Sequence, residues 1–221
     1  MAQVNIRHLA VEALLQIREG AFSHEVMDQA LQKHAYLSKA DRSFFSRLVH
    51  GVLEYRLQLD YVIGLYSKTP LKKLRPLIIT VLETGVYQIL YMERVPGFAL
   101  VNESVKLVKK RGLGGLSGFV NALLRRVMAE RERIVFPGLS EKYSCPEWML
   151  KSIQRDIPEE YLESTLAFFL EPQPLWLRIN TAKTTREAVI HILQEQGFAW
   201  GSHGLHRDFI WVRGFDRIQE I

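Results

Sequence analysis

The sequence has few of the residues that build disulfides, cysteine-based metal sites or membrane spans. Its single cysteine, Cys145, excludes an internal disulfide and a cysteine-rich zinc site. The most apolar stretch, residues 76–90, is interrupted by Glu83, Thr84 and Gly85, and a bilayer span needs about 20 predominantly apolar residues. The N-terminus lacks a signal-peptide layout because its apolar residues are spaced helically among charges. These absences predict a cytoplasmic protein that does not contact a membrane.

Motifs for a cofactor, a metal or a catalytic nucleophile are missing as well. No GxGxxG follows a strand pattern, and the glycine-rich residues 112–118 follow a helical pattern instead. His203 and His206 are three residues apart, but we expect them in a solvated turn. Cys145 has no partner base in the sequence, so a structural role is favoured over a reactive thiol. We therefore predict no catalytic, cofactor-binding or metal-binding residue in this chain.

Positive charge is concentrated in the first part of the chain. Residues 1–137 carry 20 lysines and arginines against 12 acidic residues, whereas residues 138–221 carry 9 against 12. This asymmetry indicates two domains and predicts that the first one meets a polyanion, with nucleic acid as the default. A basic surface that serves solubility alone is the alternative, and charge does not decide between them.

The apolar periodicity of residues 1–135 predicts an all-helical domain of about six to seven helices. Asn5 and Ser38 are placed to cap two of them. The segment 74–92 is the most apolar helix and is expected at the centre, with Gly85 marking close packing against a neighbour. Two amphipathic helices, 99–110 and one spanning 119–127, follow around the glycine-rich connector.

The remaining residues predict a linker with helices over 136–172 and a partial α/β unit over 173–221. Ser144 and Glu147 have capping-box spacing at the start of one helix. Residues 174–181 alternate as a strand, a helix ends at Gly197, and a second strand over 208–215 follows a turn at 201–204. Two strands and one helix do not cover their own apolar faces, so we expect the segment to stop short of a complete fold. The whole chain is thus predicted to be mainly α.

Clustered cations supply the candidate RNA-binding residues of the helical domain. Each lies near a helix end or in a connector, where a solvated cation that complements the helix dipole is the simpler interpretation. For the whole set phosphate contact is favoured, because sequence-independent nucleic-acid binding needs several lysines and arginines on one surface. The candidates are Arg7, expected opposite the apolar stripe of the first helix, together with Lys72, Lys73, Lys109, Lys110, Arg111, Arg125 and Arg126.

Arg178 is a different kind of candidate because it lies on a predicted strand. Its neighbours Leu177 and Ile179 are expected to point inward, which leaves Arg178 on the open face with Trp176 and Asn180. A guanidinium, an indole and an amide on one face can stack on and hydrogen-bond an unpaired base. The alternative is a face covered by a further domain, and the sequence favours neither.

Several segments together resemble a known family. The closing helices VPGFALVNESVKLVKKRGLGGLSGFVNALLRRV resemble those of the NusB-like RNA-binding fold, as do RHLAVEALLQI, DRSFFSRLVHGVLEYRLQLDYVI and LETGVYQILYMERVP. The segments YSCPEWMLKSI and PLWLRINTAKTT look like the region before the catalytic domain in the RsmB branch of the Nop2/Sun family. The resemblance spans nearly all 221 residues.

This resemblance implies a NusB-like helical bundle and a role in ribosomal RNA modification. Members of the family methylate carbon 5 of cytosine in RNA with S-adenosylmethionine and a pair of catalytic cysteines. Those cysteines and the methyl-donor loop belong to a domain downstream of the segment that corresponds to residues 215–221, so Cys145 does not correspond to the nucleophile. The resemblance implies a chain that docks ribosomal RNA but methylates nothing by itself. A free-standing antitermination-like RNA-binding factor and a helical scaffold for a protein partner are the alternatives.

Overall fold

The computed structural model describes residues 4–93 and 95–214, which divide into two compact units between Leu170 and Glu171. The first unit is helical and the second contains the only sheet found in the described residues, so the mainly α prediction is confirmed. The helices of the first unit are α1 (Ile6–Arg18), α2 (Ser23–Lys33), α3 (Lys39–Glu54), α4 (Arg56–Tyr66), α5 (Pro76–Tyr91), α6 (Gly97–Lys110), α7 (Ser117–Glu130), α8 (Leu139–Lys142), α9 (Glu147–Asp156) and α10 (Glu159–Leu170). The second unit comprises β1 (Leu175–Arg178), α11 (Arg186–Glu195), β2 (Ala199–Ser202) and β3 (Phe209–Arg213).

Helix α5 lies at the centre of the first unit, as its apolar sequence predicts. Every residue from Ile78 to Ile89 is buried, and α5 packs against α1, α3, α4, α6 and α7. Gly85 permits one of these contacts, because a Cβ at this position would lie 2.6 Å from Cδ2 of Leu124 on α7. The close packing predicted at Gly85 is therefore confirmed.

Two of the three predicted helix caps are present. The side chain of Asn5 accepts hydrogen bonds from the amides of Arg7 and His8, and that of Ser38 accepts one from Asp41. The capping box predicted for Ser144 is wrong. Ser144 has a positive φ of 50°, and its Oγ accepts the amide of Leu57 at 3.1 Å, so it caps α4 instead of α9.

Helices α6 and α7 form an antiparallel hairpin joined by the glycine-rich connector. The start of α6 meets the end of α7, where Gly97 leaves room for the thioether of Met128. At the opposite end, Gly112 adopts a φ of 74°, a left-handed conformation that glycine accepts without steric cost. The last turn of α6 and the first turn of α7 therefore share one end of the unit.

The segment after α7 packs against α4. The hydroxyl of Tyr61 donates to the carbonyl of Val135, and Nε2 of Gln58 donates to that of Lys142. Beyond this anchor, α8, α9 and α10 enclose a small apolar cluster of Cys145, Leu150, Leu162 and Leu166. Of the segment 136–172 predicted as a linker with helices, residues 136–170 therefore lie within the first compact unit.

The second unit is an antiparallel sheet with the strand order β1-β3-β2. Its interior consists of Ile179, Leu193, Ile210 and Val212, and Leu193 comes from α11. Strand β2 was not predicted, because Gly201 and Gly204 indicate a turn in the sequence. Gly201 instead lies within the strand, beside the ring of Trp211, where a Cβ would come within 2.5 Å of the ring atoms. The last predicted strand residue, Phe215, lies outside the described residues.

Candidate RNA interface

The connector between α4 and α5 places two predicted cations on the surface. Lys72 and Lys73 belong to a short 3-10 turn, Leu71–Lys73, and both are exposed. Lys73 and Arg75 border a hollow of about 450 Å³ that is also lined by Phe119 of α7 and by Leu116, which directly precedes α7. The connector therefore lies beside the end of the α6–α7 hairpin that carries the glycine-rich segment.

Arg125 and Arg126 lie further along α7 and are exposed. The Nε of Arg125 donates to Oδ1 of Asn121 at 3.1 Å. Arg126 pairs with Glu130, and its guanidinium lies 5.3 Å from the ring centroid of Tyr66, the last residue of α4. Helix rise separates Arg126 from Phe119 by about 10 Å along α7. The arginines thus lie on α7 and the lysines on the connector that follows α4; we refer to this surface as the edge formed by α7 and the end of α4.

The basic end of α6 lies beside α1. Lys109 and Lys110 are exposed in the last turn of α6. Arg111 follows directly and forms an ion pair with Glu12 of α1, with Nη2 2.6 Å from Oε1. Because the pair is exposed to solvent, its contribution to stability is small. These three cations lie at the same end of the α6–α7 hairpin as the connector that carries Lys72 and Lys73, but Arg111 contacts α1.

Arg7 does not lie where the sequence predicted. Its guanidinium is 5.2 Å from the ring centroid of Phe44 on α3, and its Nε donates to Oε1 of Gln88 on α5 at 2.8 Å. Burial lowers the pKa of Arg7, opposed by the charge of Glu103. The physical reason is that Arg7 lies in the first turn of α1, two residues after the cap, where α3 and α5 are both within reach of its long side chain. Arg7 therefore contacts the core and lines a groove with Arg47 instead of the edge formed by α4 and α7.

The placement of Arg178 on the open face of the sheet matches the prediction. Trp176, Arg178 and Asn180 are exposed along β1 and beyond it, and alternate with the more buried Leu177 and Ile179. In register, Trp176 lies opposite Trp211 and Arg178 opposite Phe209. The aromatic partners from β3 were not anticipated, because only the pairing of β1 with β3 reveals them.

His203 and His206 lie in a turn, as predicted from the sequence, but their rings also contact other aromatic residues. The ring centroid of His203 lies 5.3 Å from that of Trp176 and 5.3 Å from that of His206. Phe209 lies beside both histidines. The turn between β2 and β3 therefore extends the aromatic surface of the sheet, a contact that no spacing in the sequence could indicate.

The described residues offer no cluster of three or more His, Cys, Asp or Glu side chains that could hold a metal ion. Cys145 is buried, and burial together with the charge of Glu147 raises the pKa of its thiol. This environment fits a packing role and suppresses the thiolate. The glycine-rich connector joins two helices, whereas a nucleoside cofactor is bound by a turn between a strand and a helix. In the described part of the chain, no helix is long and apolar enough to cross a membrane.

The helical unit defines the class of the protein. Residues 4–129 match the NusB family, and the chain belongs to this family. Residues 145–216 match the ferredoxin-like domain of RsmF/B-like methyltransferases, so one chain combines the two domains. This is the combination expected for the N-terminal region of an RsmB-type protein.

Curated relatives match most of this chain. The probable ribosomal RNA small subunit methyltransferase B of Synechocystis sp. is 36% identical over 202 residues, covering 87% of this chain and 44% of that protein. The corresponding Bacillus subtilis protein is 29% identical over 203 residues, covering 89% and 45%. The chain therefore spans about half the length of the curated relatives it matches.

Solved structures agree on the fold. The crystal structure of PH0851 has a TM-score of 0.67 at 17% identity and covers 96% of this chain and 49% of that one. T. maritima NusB has a TM-score of 0.52 at 23% identity and covers 57% and 89%. NusB in the complex of NusB and NusE with dsRNA gives 0.52 at 18% identity, covering 56% and 93%.

Proposed function

We propose that this chain is the RNA-binding, N-terminal part of an S-adenosylmethionine-dependent methyltransferase that modifies carbon 5 of cytosine in small-subunit ribosomal RNA. Its role is to dock ribosomal RNA in the cytoplasm for a catalytic domain outside the 221 residues. The observation that carries the proposal is the presence of a NusB domain and an RsmF/B-like ferredoxin-like domain in one chain, collinear with curated rRNA methyltransferases.

The charge of the helical unit supports RNA as its partner. Lys72, Lys73, Arg125 and Arg126 are exposed along one edge of the bundle, and Lys109 and Lys110 lie at the adjacent hairpin end. Exposed cations on one surface attract phosphates and release counterions when they bind. A solved NusB of the same fold was crystallised in a complex with dsRNA, which also favours a nucleic-acid partner.

The cations on α7 are expected to contact phosphate. Arg126 is held by Tyr66 and Glu130, and Arg125 by Asn121, so both guanidinium groups are positioned before RNA arrives. A guanidinium with some of its donors directed to the protein still presents others to a phosphate. Arg7, in contrast, is committed to Gln88 and Phe44, so we assign it a minor share of RNA contact.

Charge reversal tests the proposal directly. The R125E/R126E variant should lower the affinity for a small-subunit rRNA transcript by about tenfold, since two phosphate contacts become repulsive. The K151E/R155E variant is the matched control: it makes the same charge change on α9, away from α7, and should leave affinity within about twofold. Fluorescence anisotropy at fixed ionic strength measures both, and circular dichroism checks that each variant keeps its helices.

Two outcomes would contradict the proposal. If both variants lose affinity equally, only net charge matters and the α7 edge is not the site. If the unmodified chain does not bind the transcript at all, the helical unit is better described as a scaffold for a protein partner.

A further inference from the structure

The sheet of the second unit has one covered and one open face. Residues that point to the covered face, Ile210 and Val212, are fully buried with Leu193 of α11. Side chains at the alternate ladder positions point the other way, where α11 does not reach them. These positions hold Trp176 and Arg178 on β1, Phe209, Trp211 and Arg213 on β3, and Ala199 and Gly201 on β2.

Aromatic residues cluster on this open face. Trp176 lies opposite Trp211 across the β1–β3 ladder, and 44% of Trp176 is exposed. His203 packs edge-on against Trp176, and His206 stacks on His203 at 30° between ring planes. Gly201 makes room for the ring of Trp211, which lies flat over β2. We refer to Trp176, His203, His206, Phe209 and Trp211 as the aromatic platform.

Hydrogen bonds order the turn that carries His203 and His206. The Nδ1 of His203 accepts hydrogen bonds from the amides of Leu205 and His206, at 3.1 and 3.2 Å. The ring therefore closes the turn through its unprotonated nitrogen and leaves Nε2 as the donor. Across the turn, Arg186 of α11 donates to Ser202 Oγ and to the carbonyl of Arg207. A pre-ordered aromatic surface loses little entropy when a ligand stacks on it.

The positive charges on the open face favour a ligand that carries phosphates. Arg178 and Arg213 are exposed, and Arg213 lies 5.8 Å from the ring centroid of Trp211. No acidic residue occupies the outward ladder positions named above. Aromatic rings flanked by guanidinium groups suit nucleobases joined by phosphates, because bases stack on the rings and phosphates pair with the cations.

We propose that the aromatic platform binds unpaired bases of RNA, with Trp176 stacking on a base and with Arg178 and Arg213 contacting the flanking phosphates. The proposal rests on the proposed RNA-binding function but concerns a different surface and a different form of RNA. The edge of the helical unit formed by α4 and α7 presents mainly cations and suits phosphates of paired RNA. The sheet face suits single strands.

The test measures two RNA probes against variants of the full 221-residue chain. The probes are a fluorescein-labelled uridine oligonucleotide of about eight residues and a fully paired duplex of about 16 base pairs. The W176L variant should weaken binding of the oligonucleotide by about tenfold, because one stacking contact is lost. Its affinity for the duplex should stay within about twofold of the unmodified chain.

Trp148 supplies the matched control. It is 70% exposed on α9, outside the sheet, so W148L makes the same chemical change without touching the platform. W148L should bind both probes like the unmodified chain. The W176F variant retains an aromatic ring and should recover most of the lost affinity, which a general effect of altered packing would not produce.

The outcomes separate this proposal from the proposed function. If W176L and W148L bind the oligonucleotide equally well, or if the unmodified chain binds only the duplex, the platform proposal is overturned while the helical surface stands. If R125E/R126E binds both probes normally while W176L loses the oligonucleotide, the helical surface is refuted and the platform is supported.

Discussion

Glu83 is the one charged residue in the sequence of α5, and only 1% of its surface is exposed. Its two carboxyl oxygens lie 2.7 and 2.5 Å from Nη2 of Arg18 on α1. Burial raises the pKa of Glu83 to about 7, with a further increase from the charge of Asp60, although Arg18 opposes both. The Arg18–Glu83 ion pair joins α1 to α5. Because the pKa of Glu83 is raised, the stability of the folded protein depends on pH.

The pH dependence of unfolding follows from this shift. The unfolded carboxyl titrates near its ordinary pKa of 4.5, so the folded state binds more protons between about pH 4.5 and 7. The free energy of unfolding should therefore fall as pH rises through this range and level off above it. In E83Q this decline should be smaller, as measured by urea unfolding at several pH values.

Glu12 provides the comparison, because it is a surface acid that pairs with Arg111. E12Q should retain the decline of the unmodified protein. An E83Q profile that parallels the E12Q profile would show that Glu83 does not titrate in this range.

The sequence predictions are wrong or missing for residues that contact partners far away in the sequence. The helical pattern predicts Arg7 on the polar side of α1, yet Phe44 and Gln88 surround it. No sequence pattern indicates a packing role for Gly51, although a Cβ there would overlap the ring of Tyr87. The roles of Asn5 and Gly85 were predicted correctly. A helix cap depends on neighbouring residues in the sequence, and a glycine in an apolar helix costs helix propensity, which indicates that close packing requires it.

At the scale of the element, Ser144 shows how one helix is completed by another segment. Helix α4 begins without a side-chain cap of its own, since Tyr55 makes no capping hydrogen bond. Ser144 satisfies the amide of Leu57 from outside, and the neighbouring Gln58 reaches the carbonyl of Lys142. These two contacts hold the segment after α7 against α4.

Removing this cap should destabilise the first unit. S144A is expected to lower the free energy of unfolding by about 1 kcal/mol, because the Leu57 amide loses its partner. S144N should recover part of the loss, since asparagine keeps an acceptor oxygen and tolerates a positive φ. Urea unfolding followed by circular dichroism gives the values.

Ser164 on the exposed side of α10 serves as the control, because its hydroxyl donates to the carbonyl of Tyr161 within its own helix. S164A should change the free energy of unfolding by less than about 0.5 kcal/mol. Equal effects of S144A and S164A would contradict the capping role of Ser144.

The elements of the first unit were largely predictable, as were β1, α11 and β3 of the second, whereas β2 was not. In the described residues, seven helices lie between Ile6 and Glu130, within the predicted range, because apolar residues recur at helical spacing over long segments. Strand β2 was not predictable because it has four residues and contains a glycine. The segment forms a strand because it pairs with β3, and this pairing is a tertiary contact that the local sequence does not indicate.

At the scale of the whole molecule, the chain combines two units with different surfaces. The helical unit carries most of the positive charge, and the sheet unit carries the aromatic platform. The charge asymmetry and the family were predictable from the sequence, and the matches to the NusB family and to RsmF/B-like domains confirm the family. The grouping of the cations was not predictable, since the edge formed by α4 and α7 exists only once the helices pack.

The salt dependence of ribosomal RNA binding shows whether the edge formed by α4 and α7 contacts phosphates. Affinity for a small-subunit rRNA transcript should fall steeply with salt, and the K72A/K73A/R125A/R126A variant should have a slope of log K against log salt that is less negative by about 3, as four phosphate contacts disappear. Equal slopes for the variant and the unmodified chain, or binding that salt does not affect, would contradict the assignment of this edge to ribosomal RNA.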